Sequence, residues 1–206
     1  MTKNNNICFV GDTSVGKTSI IMRQKNGEAN IAQPSIGVGH VSTTVNGIEL
    51  LCFDTAGQES YRSLCPMFIR NSSIIVLVFD VTQINTFKSI KSPWLEFIFN
   101  IKEPPFILIV GNKTDSDLRQ VTFDEGLSLT NDISKDYNIQ ENNKDVPARC
   151  IYFETSAKTG SGIQQLFDDI ASKVEYLDNP NRNIPTPDPT PDPTPVPNPD
   201  PSPKCC

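Results

Sequence analysis

The sequence has little of what a membrane-spanning, secreted or nucleic-acid-binding chain needs. Its longest apolar run, "IIVLVF" (Ile74–Phe79), is far too short to cross a bilayer. The opening "MTKNNNICFV" has no basic segment leading into an apolar stretch of signal-peptide length. The expectation is a chain made and kept in the cytosol, touching membranes only peripherally. No basic cluster occurs and the net charge is −6, which argues against nucleic acid as a partner. Cys8, Cys52, Cys65 and Cys150 are scattered and mostly flanked by apolar residues. They have neither zinc spacing nor the density of a disulfide framework, and are expected to be buried thiols of a reducing compartment. The single histidine, His40, is expected to be a surface residue of an edge strand, a catalytic or pH-sensing role being the alternative.

What is present is alternation. "ICFV" (Ile7–Val10), "IELLCF" (Ile48–Phe53), "IIVLVF" and "FILIV" (Phe106–Val110) are nearly continuous apolar runs, the pattern of strands buried on both faces. "HVSTTV" (His40–Val45) predicts a half-buried edge strand and "CIYF" (Cys150–Phe153) a last core strand. Helical patterns lie between them. The clearest is the stripe Ile163, Leu166, Phe167, Ile170, Ala171, Val174 and Leu177. Ser92–Pro93 predicts an N-cap and first helical position for a helix over Pro93–Ile101, with a separate turn before it. "NIQENNKDVPA" (Asn138–Ala148) predicts a solvated loop. Strands alternating with helices imply an α/β fold: a doubly wound, mostly parallel six-stranded sheet flanked by helices. The expected division is a domain over 1–178 and a disordered proline-rich tail over 179–206.

Four short motifs carry chemistry. "GDTSVGKT" (Gly11, Asp12, Thr13, Ser14, Val15, Gly16, Lys17, Thr18) follows the first strand and opens a helix, as a P-loop does. Glycines let backbone N–H groups curl around phosphate oxygens, Lys17 neutralises the terminal phosphates, and the Thr18 hydroxyl suits Mg²⁺. "DTAGQE" (Asp54–Glu59), "GNKTD" (Gly111–Asp115) and "ETSAK" (Glu154–Lys158) each follow a predicted strand. That places all four at the carboxyl ends of a parallel sheet, where ligands bind.

In this order the motifs resemble those of the small GTPases of the Ras superfamily, over residues 5–177. With "YRSL" (Tyr61–Leu64) after the glutamine and a double-cysteine end, the nearest branch resembles Rab. The resemblance implies that the Asp115 carboxylate accepts two hydrogen bonds from guanine. Adenine lacks that donor pair and would leave the carboxylate unpaired. It further implies that Asn112 fixes the base, that the Lys113 stem packs along it, and that Ser156, Ala157 and Lys158 close the guanine pocket. Asp54 would hold Mg²⁺ through water beside Thr18 and Ser35, Gly57 would offer its N–H to the γ-phosphate, and Gln58 would orient the attacking water. Bound GTP or GDP, Mg²⁺, effectors, a GTPase-activating protein (GAP), an exchange factor and prenylation escort or GDI-type proteins follow from the same resemblance, as does a monomer regulating vesicle traffic.

The sequence also departs from that pattern. Thr13 and Ser14 stand where the Ras version has glycines, narrowing the space around the γ-phosphate and the access of an arginine finger. "SIGVGH" (Ser35–His40) keeps a hydroxyl but replaces the acid and aromatic that Rab effectors meet. "QKNGEANIAQP" (Gln24–Pro34) lacks an aromatic to stack across guanine, a loss of about 1–2 kcal/mol of apolar cover that predicts faster nucleotide release. These departures keep a second reading open, a nucleotide-binding scaffold with negligible hydrolysis. An ATP-using P-loop enzyme is the third, opposed by Asn112 and Asp115.

The chain ends in prolines at every odd position from Pro185 to Pro203, then Lys204, Cys205 and Cys206. Such a ladder can form neither helix nor central strand. Its strict period of two gives no prolines three apart for an SH3 domain. As polyproline II it would be a spacer rising about 3.1 Å per residue. Cys205 and Cys206 resemble the double-cysteine signal that receives two geranylgeranyl chains. A vicinal disulfide, palmitoylation and plain exposed thiols are the alternatives. The expected place is the cytoplasmic face of an intracellular membrane, cycling with the cytosol.

Overall fold

The computed structural model describes residues 5–27, 38–55, 65–99, 105–138 and 149–179. Six strands form one sheet: β1 (Asn6–Val10), β2 (Val38–Val45), β3 (Ile48–Thr55), β4 (Ile74–Asp80), β5 (Phe106–Asn112) and β6 (Cys150–Thr155). Their order is β2-β3-β1-β4-β5-β6, with β2 antiparallel to β3 and the other neighbours parallel. Each predicted apolar run is one of these strands. The β2–β3 hairpin turns at Asn46–Gly47, both at positive φ, the turn that matches strand twist.

The continuous apolar runs are explained by two cores, one on each face of the sheet. Ile7, Phe9, Ile74, Val76, Val78, Leu108 and Val110 pack against α1 (Lys17–Asn26) and α6 (Ile163–Asp178). Their alternates Cys8, Val10, Ile75, Leu77, Phe79, Ile107 and Ile109 face the opposite way. That second core is completed by α2 (Cys65–Arg70), α4 (Leu95–Phe99) and α5 (Phe123–Asn138). Every second side chain thus serves a different layer, so no position in β4 is free to be polar until Asp80 at its end. The α6 stripe is buried from Ile163 to Val174, and Leu177 packs against its edge. Cys8, Cys52, Cys65 and Cys150 are all buried thiols outside any disulfide, and burial pushes Cys52 and Cys150 up to about 12.

The region around Pro93 differs from expectation. A helix already runs over α3 (Ile84–Ser89), where a mere turn is expected, and the chain then kinks within Ile90–Trp94 before α4. Ser92 leaves helical geometry at φ −146°, ψ 123°, as a residue before proline tends to. Pro93 has no N–H to donate, and Leu95 N–H, two residues on, bonds to Ile90 O. The two helical stretches therefore meet at a kink at Ser92–Pro93, where the sequence places the break, and the difference from expectation is the helix before it. Residues 100–104 lie outside the described residues, as do 139–148 of the expected loop; Asn138, expected to open that loop, ends α5 instead.

Candidate functional site

The carboxyl ends of β1, β3, β4, β5 and β6 come together because the strands are parallel and in register. Asp80 lies beside Asn112 and Asn112 beside Thr155, while Phe9 in β1 lies beside Asp54 in β3.

After β1 the chain turns through Gly11–Gly16 into α1. Gly16 has φ +102°, and a Cβ there would lie 2.2 Å from Asn112 Nδ2. No L side chain could occupy that position while the loop touches β5. Ser14 holds a left-handed φ of 62°, and the side chains of Thr13 and Ser14 are exposed on the loop's outer rim. Lys17 is 5% exposed, and its ammonium donates to Gly11 O (2.9 Å) and Asp12 O (2.8 Å). Burial pushes its pKa down to about 8, against the opposing pull of Asp54 and Asp12.

Thr18 Oγ1 donates to Asp54 Oδ2 at 2.6 Å. A hydroxyl from α1 and a buried carboxylate from β3, brought together within one turn of Lys17, are the hard oxygen donors that suit Mg²⁺. Thr55 Oγ1 donates to Phe9 O (2.7 Å), tying the end of β3 to β1.

Asn112 is the hub. Its Nδ2 donates to Val15 O in the phosphate loop (2.8 Å), and its Oδ1 accepts from Thr155 Oγ1 and Ala157 N, both at 3.2 Å. One buried amide therefore fastens the first, third and fourth motifs together. Lys113, at φ +69°, places Nζ 2.7 Å from Asp80 Oδ2, while Thr82 N and Oγ1 hold Asp80 Oδ1. Asp115 sits at the exposed mouth. Ser156 Oγ donates to its Oδ1 (2.7 Å) and Lys158 Nζ lies 3.4 Å from its Oδ2. The Ser156 hydrogen bond, with Lys158 helping, holds this carboxyl below its usual range and keeps it an acceptor. Lys158 is otherwise exposed.

Of the residues expected from sequence, Gly11–Thr18, Asp54, Asn112, Lys113, Asp115, Ser156, Ala157 and Lys158 are gathered here. Ser35, Gly57, Gln58, Cys205 and Cys206 lie outside the described residues. Sequence reasoning passed over Asp80, Thr155 and the brace behind the base loop, in which Arg119 grips Glu154 with two 2.7 Å bonds and Tyr152 OH donates to it at 3.0 Å. Asp80 carried a signal, a carboxylate closing an apolar strand at the ligand-binding end. It also passed over Trp94, whose indole Nε1–H donates to Asp12 Oδ1 at 3.3 Å.

A glycine-rich loop with a buried lysine, a hydroxyl–carboxylate pair and an acceptor carboxylate thus share one sheet end, the loop and the ends of β5 and β6 fastened through a single asparagine. The sequence model of the Ras family matches residues 6–176, nearly the whole described fold. The chain belongs to the Ras family and is a small GTPase.

Proposed function

We propose that this protein is a Rab-type switch that binds GTP and GDP, resets itself by slow hydrolysis, and acts on an intracellular membrane in vesicle traffic. The observation that carries the nucleotide half is Asn112, bonded at once to Val15, Thr155 and Ala157. Through it the base loop and the phosphate loop are one unit, so binding at either end is felt at the other. Asp115, kept ionised by Ser156, is the acceptor for guanine's ring N–H and amine. Lys17, Thr13–Gly16 and the N-terminus of α1 receive the phosphates. Thr18, Asp54 and Ser35 would hold Mg²⁺, which neutralises phosphate charge. Gln58 orients the attacking water, and Ser35 and Gly57 order their segments around the γ-phosphate, forming the effector surface. The Rab assignment is supported by Tyr61–Leu64 and by Cys205–Cys206, the proposed sites of two geranylgeranyl chains.

The test is single-turnover hydrolysis of Mg²⁺·GTP by the full chain beside Gln58→Leu, with ATP as competitor and Asp115→Ala as the base-pocket control. The expected rate is on the order of 10⁻⁴ s⁻¹, the scale known for unassisted Ras, and Gln58→Leu abolishes it. Asp115→Ala should erase the preference for GTP over ATP. Tight binding without turnover in either protein would instead support the scaffold reading. Thr13 and Ser14 stand on the phosphate loop where they would narrow the access of an arginine finger.

A further inference from the structure

We propose that Trp94 is a positioning residue for the phosphate loop, acting through Asp12. The inference rests on the guanine-nucleotide reading of the site. Trp94 is almost wholly buried in the core beneath the sheet, yet its one polar atom reaches out of that core to the Asp12 carboxylate, 82 positions away in sequence. Asp12 is the second residue of the phosphate loop, and its own carbonyl accepts the 2.8 Å bond from Lys17. The indole therefore holds the side chain of a residue whose backbone anchors the phosphate-binding ammonium.

Trp94 stands just after a kink in the chain. Ser92 steps out of helical geometry before Pro93, and Leu95 bonds to Ile90 across five residues. Leu95 and Ile98 still enter the core after it. At 3.3 Å the bond from Trp94 to Asp12 is long, so its effect should be a few-fold, not a loss of binding.

The experiment is nucleotide release from the full-length protein, followed with a fluorescent GDP analogue, in a cycle of Trp94→Phe, Asp12→Ala and the double variant. Trp94→Phe keeps a ring in the core and removes only the N–H. Release should be about three- to ten-fold faster in Trp94→Phe, with no further acceleration when Asp12 is already alanine. A merely structural tryptophan would give the same factor in both backgrounds. Because the chain has one tryptophan, its indole gives a single N–H resonance in a ¹H–¹⁵N spectrum. That signal should move in Asp12→Ala, a variant that leaves the core untouched. Unchanged release in Trp94→Phe, equal factors in both backgrounds, or an indole signal indifferent to Asp12 would each overturn the proposal. Failure of the unaltered protein to bind GDP would overturn the nucleotide reading and this inference with it.

Discussion

Lys17 shows how one buried charge makes a binding reaction sensitive to pH. Burial has pushed its folded-state pKa to about 8, below the ordinary 10.5. Between those values the unfolded chain keeps the proton and the folded chain has lost it, so this group makes stability rise with pH across that window. Phosphate oxygens reverse the balance, because an anion beside the ammonium favours the charged form. Nucleotide binding should therefore take up a proton at Lys17 above about pH 8, and little at about pH 7. Calorimetry of GDP binding in buffers of unlike ionisation enthalpy measures this directly. Uptake that grows between about pH 7.5 and pH 9 is the expected result, and affinity should weaken as pH rises through that range. A proton count that stays flat would mean that Lys17 is charged throughout and that its burial is relieved some other way.

At the scale of whole elements, α6 carries a cost that its apolar stripe conceals. Asp169 and Lys173 are one turn apart, with side chains 4% and 6% exposed, and Nζ lies 2.8 and 2.9 Å from the two carboxylate oxygens. Lys173 also lies over the Phe106 ring, 5.5 Å from its centroid. Such a pair gains little over apolar side chains, because both charges were taken out of water, but halving it leaves a bare buried charge. Lys173→Met alone should cost about 3–5 kcal/mol in denaturant unfolding, whereas Lys173→Met with Asp169→Leu should be neutral or stabilising. A single variant as stable as the double would show that water reaches Asp169. The pair also marks the limit of what the sequence discloses. Period-two burial makes β1, β4 and β5 legible as runs, and the 3.6-residue stripe makes α6 legible as a helix. Neither pattern distinguishes a buried Asp–Lys pair from a solvated one at the same spacing. The helix start at Ile84 was hidden in the same way. Pro93 argues locally for a break, which Ser92 makes, but carries no signal for the helix that precedes it. The nucleotide site was legible because its motifs are contiguous and sit at strand ends. Its braces, Asp80 to Lys113, Arg119 to Glu154 and Trp94 to Asp12, were not, since each joins segments far apart in the chain.

For the molecule as a whole, the balance of charge decides how it can be held at a membrane. The chain has a net charge of −6, and its last stretch sets Asp188, Asp192 and Asp200 against Arg182 and Lys204. Anionic headgroups therefore offer it no attraction, and a polybasic second signal is absent from the tail. If the protein is held at a membrane, hydrocarbon would have to supply the affinity, at about 0.8 kcal/mol per buried CH₂, and one chain gives only marginal, reversible binding. If Cys205 and Cys206 both carry geranylgeranyl thioethers, the protein should float with neutral phosphatidylcholine vesicles. The Cys206→Ser form, limited to one lipid, should remain mostly in solution. Adding phosphatidylserine should not strengthen either, and should weaken the single-lipid form slightly as the acidic tail meets a negative surface. Vesicle flotation of the two lipidated forms across a series of phosphatidylserine contents checks this. Binding that rises with anionic lipid, or a single-lipid form as firmly held as the double, would place the second membrane signal in the folded domain and not in the paired cysteines.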